Sequence, residues 1–121
     1  MHLVPADRAH RRVIDGDQVC DAIAGIGPPP RVQAWAERFA LLGDPGRLAL
    51  LMAVRAVPDI CVSDLAVAVG MNDTAVSQAL RLLRTAGLVH ARKDGRIMRY
   101  RLVDTTVSDL LSQVAARRDA R

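Results

Sequence analysis

A chain of 121 residues and 13.1 kDa fits one compact domain and excludes most multi-domain enzymes. Half of its residues are hydrophobic and a quarter are charged, enough to bury a core and too apolar for compositional disorder. Basic residues outnumber acidic ones by 17 to 13, Lys93 being the only lysine among them, and the resulting +4 points to an acidic partner surface.

Cys20 and Cys61 are too few and too far apart for the disulfide framework of a small secreted domain, and they fit a reducing, cytoplasmic setting. The apolar run Leu48 to Val54 is bounded by Arg47 and Arg55, far short of the ~20 residues of a membrane span, so no membrane partner is expected. Residues 1–14 carry Arg8, Arg11 and Arg12 without the apolar stretch of a secretory signal, and they read as a flexible basic arm.

Val19, Ile23 and Ile26 recur at helical spacing from Asp15 onward, and Gly25 to Pro30 predicts a stop followed by a stiff linker. From Arg31, the stripe Trp35, Phe39 and Leu42 predicts a second helix anchored in the core. Asp44 reads as the N-cap of a third helix with Pro45 at its first position, running to about Ala56. Val57-Pro58-Asp59 is a turn and Ile60 to Val62 is short and extended. Ser63 then reads as the cap of a fourth helix, Asp64 to Val69, that stops at Gly70.

Asn72 or Asp73 caps a fifth helix with Val76, Leu80 and Leu83 as its buried stripe and Gly87 as its stop. The period then changes. Leu88 to Arg92 and Ile97 to Leu102 read as strands around Lys93-Asp94-Gly95-Arg96, where Asp-Gly is a hairpin signal. Beyond Asp104, Val107, Leu110, Leu111 and Val114 return to helical spacing, and residues 117–121 are expected to fray.

The expected order is therefore α-α-α-α-α-β-β-α, a mainly helical α+β fold spanning residues 15–116. Helix, tight turn, helix and basic hairpin is the arrangement of a winged helix-turn-helix, whose second helix enters the DNA major groove. Between Arg81 and Arg101 seven basic residues face one acid, Asp94, so this stretch carries +6. Arg81, Arg84, Arg92, Lys93, Arg96 and Arg99 are candidate contacts to DNA, the hairpin cations to phosphates. Thr74, Ser77, Gln78 and Arg81 share one helix face and offer hydroxyls, an amide and a guanidinium to base edges. The rival reading is a winged-helix interaction module that binds no DNA. An enzyme is not expected, because neither the carboxylates Asp15, Asp17 and Asp21 nor Ser77 has a histidine in a local motif, and there is no glycine-rich phosphate loop.

The ordered segments Leu41 to Leu51 (LLGDPGRLALL), Ile60 to Ala66 (ICVSDLA), Thr74 to Arg84 (TAVSQALRLLR), Gly87-Leu88-Val89, Gly95-Arg96 and Tyr100-Arg101-Leu102 resemble the ArsR/SmtB family of bacterial metal-sensing repressors. The likeness covers roughly residues 31–115. It implies a homodimer joined through the first and last helices, with Val19, Ile23, Val107, Leu110, Leu111 and Val114 at the interface. It also implies a double-stranded operator with an inverted repeat, and release from it by an inducer. Ala79 departs from the histidine frequent at that position, which removes one possible contact.

The resemblance implies two places for a metal. The last-helix site would fall on Asp104, Thr106, Arg117 and Ala120, where only the first is a ligand and Arg117 repels a cation, so it is rejected. The other joins N-terminal thiolates of one subunit to a Cys-Val-x-Asp stretch of its partner, which Cys20, Cys61 and Asp64 match. Ser63 replaces a second cysteine there, and Ala24 replaces a further N-terminal ligand. Completed by His10 or water, this set suits a thiophilic divalent ion such as zinc, cadmium or lead. The alternatives are no metal at all, a redox pair of the two thiols, or a signal from a small molecule or partner protein.

Overall fold

The computed structural model describes residues 4–117, which fall into two units, Met1–Arg38 and Phe39–Arg121. In the first unit a single 3-10 turn, Ala6–Arg8, precedes α1 (Gly16–Ile26). The Asp15 carboxylate accepts from the Gln18 amide at 3.1 Å and so satisfies one of the unbonded amides that every helix start leaves. Nothing in α1 is fully buried: Val19 and Ile23 are half-buried and Ile26 is 58% exposed. Residues of the arm, Val4, Arg8 and Arg11 to Val13, line a shallow cleft of about 320 Å³ with this helix.

The expected proline linker shrinks to Gly27 and Pro28, because α2 (Pro29–Leu42) begins inside the proline run. A proline in the first helical turn lacks only an amide that would have had no partner there, and the Pro28 carbonyl receives the Arg31 amide at 3.0 Å. Of the predicted anchors of α2 only Leu42 is buried; Trp35 is half-buried and Phe39 is 54% exposed. Within the second unit Leu42 belongs to the core and Leu41 packs against it.

The second unit continues with α3 (Pro45–Ala56), β1 (Ile60–Cys61), α4 (Val62–Val69), α5 (Asp73–Thr85), β2 (Val89–Asp94), β3 (Ile97–Leu102) and α6 (Thr105–Ala116). Asp44, Asn72 and Asp104 each accept the backbone amide three residues on, at 3.0, 2.8 and 2.9 Å. Ser63 does not cap α4. That helix starts at Val62, leaving Cys61 in the capping position with no side-chain bond and Ser63 inside the first turn.

The three strands form one antiparallel sheet in the order β1-β3-β2, with Cys61 opposite Arg99 and Tyr100 opposite both Ile60 and Ala91. The core joins Leu50, Leu51 and Val54 of α3, Leu65 of α4, Val76, Leu80 and Leu83 of α5, and Val107 and Leu111 of α6, each at most 1% exposed. Arg55 ties α3 to α6 through two bonds to the Ser112 hydroxyl, at 3.1 and 2.8 Å. The helix-turn-helix and the hairpin are thus fixed on one core.

Candidate nucleic-acid interface

The turn Gly70-Met71-Asn72 sets α5 against α4. Gly70 ends α4 with a left-handed φ of 72°, which only glycine adopts freely, and its amide returns to the Ala66 carbonyl at 3.0 Å. The next helix then divides by face. Val76, Ala79, Leu80 and Leu83 point into the core, while Thr74, Ser77, Gln78, Arg81 and Arg84 are exposed. All four predicted base-reading groups therefore lie on the open side. Ala79 is 9% exposed and packs with the core.

In the hairpin, Asp94 pairs with Ile97 and leaves a two-residue loop of Gly95 and Arg96, with a φ of 61° at the glycine. Strand alternation puts Tyr100, Ala91, Met98 and Leu102 toward the core and His90, Arg92, Arg99 and Arg101 on the outer face. Arg92 stands directly opposite Arg99, a like-charge pairing that costs stability unless it is offset.

The offset comes from two acids. Arg99 Nε donates to Asp94 Oδ2 at 2.9 Å and Nη1 donates to the Asp59 carbonyl at 3.1 Å. Arg101 Nη2 donates to Asp59 Oδ2 at 3.0 Å. The hydrogen bond to Asp94 is the main reason the Arg99 guanidinium holds its proton more tightly than an ordinary arginine. Of the seven cations between positions 81 and 101, Arg81, Arg84, Arg92, Lys93 and Arg96 have no carboxylate partner among the described residues. The summed charge of +6 therefore overstates what is open to a polyanion. Asp59 was missed because it lies 40 and 42 residues from the arginines it binds.

Between the wing and α5 lies a cleft of about 680 Å³. Cys61, Ser63 and Asp64 line it from β1 and α4, Asp73 and Ser77 from α5, and Arg96 and Arg99 from the hairpin. The structure thus brings two of the three predicted metal ligands, Cys61 and Asp64, to one cleft that α5 also lines. No three side chains of His, Cys, Asp or Glu gather closely enough to hold an ion among the described residues. Cys20 lies half-buried on α1 in the other unit, and His10 is exposed. At the rejected last-helix site Asp104 caps α6, Thr106 and Arg117 are exposed, and Ala120 falls outside the described residues, as does the expected fraying beyond Arg117.

Residues 44–91 match the profile of the bacterial regulatory protein, arsR family. The HTH-type transcriptional repressor SmtB of Mycobacterium tuberculosis is 30% identical over 115 residues, covering 93% of this chain and 84% of that protein. The chain belongs to the ArsR family. Another relative, the transcriptional repressor SmtB homolog of Synechocystis, is 44% identical over 85 residues, 70% of this chain. The chain spans 64% of that relative's length.

Among solved structures, the homodimeric winged helix-turn-helix DNA-binding domain of a Mycobacterium bovis protein superposes with a TM-score of 0.60 at 31% identity, over 74% of this chain and 86% of that domain. The fold is accordingly a winged helix-turn-helix. In this ArsR-family chain the profile match runs from the Asp44 cap of α3 into β2, taking in the helix-turn-helix with Cys61 and Asp64 but neither Cys20 nor α6. Among the described residues no helix is long and apolar enough to cross a membrane.

Proposed function

We propose that this ArsR-family chain is a cytoplasmic, homodimeric transcriptional repressor, not an enzyme, that lays α5 of each subunit into adjacent major grooves of an inverted-repeat operator. The observation that carries this reading is that the exposed face of α5, bearing Thr74, Ser77, Gln78 and Arg81, is accompanied by cations at Arg84, Arg92, Lys93 and Arg96 that no carboxylate neutralises among the described residues. Phosphate contacts from the wing supply salt-dependent affinity, and the amide and guanidinium of α5 read bases. In the dimer the two reading helices must stand one DNA turn apart, about 34 Å. The outward residues Leu110 and Val114 of α6, at 40% and 47% exposed, with Val19 and Ile23 of α1, supply the apolar contact.

Footprinting of the purified, reduced protein on the DNA upstream of its own gene tests the reading. A protected inverted repeat is expected, and Gln78→Ala or Arg81→Ala should each weaken binding by about 1–3 kcal/mol, roughly 5- to 150-fold. No protection at low ionic strength overturns it in favour of an interaction module without DNA.

The inducer we assign to the same reading is a thiophilic divalent ion such as zinc, cadmium or lead. Cys61 and Asp64 give two donors in one cleft, and Cys20 of a second subunit would supply the third. One chain alone does not fit such an ion, since tetrahedral sites take three or four protein ligands, so it would be held only between subunits. Each of these metals should release the protein from its operator, with a coupling of about 1–3 kcal/mol, and Cys61→Ser should abolish the response. An identical response in Cys61→Ser, or none in the wild type, assigns the signal to something other than metal.

A further inference from the structure

Asp59 is the one non-glycine residue with a positive φ among the described residues, 63°. The left-handed region is costly for an L-residue with a Cβ, and Asp tolerates it better than most without matching glycine. Glycine at this turn would remove the strain, yet the position carries a carboxylate. All three polar groups of Asp59 are engaged by β3. Its amide donates to the Tyr100 carbonyl at 2.9 Å, its carbonyl accepts from Arg99 and its carboxylate accepts from Arg101. The second acid of the wing, Asp94, takes the remaining Nε of Arg99.

These pairs are open to solvent: the side chains of Asp59 and Asp94 are 32% and 52% exposed, and those of Arg99 and Arg101 are 31% and 54% exposed. Exposed ion pairs add little to stability, so beyond offsetting the repulsion between Arg92 and Arg99 the two acids give the fold little. What the acids do change is the charge that the outer face of the sheet shows to a polyanion.

Resting on the DNA-binding reading above, we propose that Asp59 and Asp94 are positioning residues that set the phosphate affinity of the wing by holding Arg99 and Arg101 along the sheet and away from phosphates. Contact is thereby confined to Arg92, Lys93 and Arg96 near the wing tip and to α5. Every phosphate contact strengthens binding to any sequence equally. Withholding two arginines per subunit lowers affinity for operator and bulk DNA by the same factor, which limits how strongly the chain holds DNA of any sequence and leaves discrimination to the base-reading groups of α5.

The test is the salt dependence of binding by the full chain to a random-sequence duplex and to its own upstream DNA. Arg96→Ala should lower the slope of log K against log salt by about 0.9 per subunit, whereas Arg101→Ala should leave it unchanged. Asp59→Asn keeps a residue that accepts the left-handed backbone and releases Arg101. It should steepen the slope by up to about 0.9 per subunit and tighten binding to both duplexes several-fold, leaving the operator preference unchanged. Asp94→Asn should act the same way through Arg99. Asp59→Gly, which relieves the backbone, should reproduce the slope of Asp59→Asn and so separate released charge from altered folding.

Arg101→Ala flattening the slope as Arg96→Ala does, or Asp59→Asn and Asp59→Gly leaving it unchanged, overturns the proposal while the DNA-binding reading stands. A wild type that binds no duplex at low salt overturns both.

Discussion

Replacing Leu80 by alanine should lower the unfolding free energy by about 2–5 kcal/mol, whereas replacing its neighbour Arg81 by alanine should change stability by no more than about 0.5 kcal/mol. Leu80 is 0% exposed, at the centre of the core that α3, α4, α5 and α6 share. Removing its three outer carbons forfeits their burial and leaves a cavity that close-packed neighbours such as Leu50 and Leu83 fill only in part. Against the 5–15 kcal/mol that usually separates folded from unfolded domains, the loss is a large share of the whole.

Chemical denaturation of the two variants beside the wild type provides the check, with DNA affinity measured on the same samples below the melting transition. The two readouts should cross over. Leu80→Ala costs stability and retains sequence preference in the fraction that stays folded, while Arg81→Ala retains stability and loses preference. A stable Leu80→Ala, or an unstable Arg81→Ala, would mean that the faces of α5 are not divided as described.

That division was legible in the sequence because helical periodicity is local. Val76, Leu80 and Leu83 repeat at the spacing of one face, and the polar residues between them fall on the other. The same holds wherever a cap closes within three residues, as at Asp44 and Asn72, or where a glycine sets a turn, as at Gly95.

What escaped was set by distant parts of the chain. The tie of Asp59 to Arg99 and Arg101 depends on how β1 meets β3, and nothing in the run Val57-Pro58-Asp59 indicates it. Periodicity marked Trp35, Phe39 and Leu42 as one stripe, but of the three only Leu42 is buried, since spacing along a helix shows which residues share a face and not what covers it. At the proline run, the general rule that proline breaks helices outweighed the narrower rule that the first turn accepts it. For the metal ligands, spacing along the chain could put Cys61 and Asp64 at the start of one short helix, and the structure adds that they open onto the cleft beside Ser77 and Arg96.

In α6 the same stripe serves two masters, and separating them leads to the second large effect. Val107 and Leu111, both 1% exposed, are committed to the core of their own chain, so of the four α6 residues expected at the dimer interface Leu110 and Val114 are left to face outward. Leu110→Glu should therefore leave the monomer folded, because its side chain already meets water, and should break the proposed dimer by forcing a carboxylate into an apolar contact without a partner. Leu111→Glu, one position on, should unfold the chain by putting the same charge into the core.

The consequence for DNA is larger than the loss of one contact. When two linked subunits bind an inverted repeat, the second half-site is occupied at an effective concentration of order millimolar, and a monomer forfeits that advantage. Operator affinity of Leu110→Glu should fall by at least about 100-fold at nanomolar protein, while its melting temperature stays close to that of the wild type and sedimentation reports a single chain. A Leu110→Glu protein that still sediments as a dimer would place the subunit contact elsewhere than on the outer face of α6.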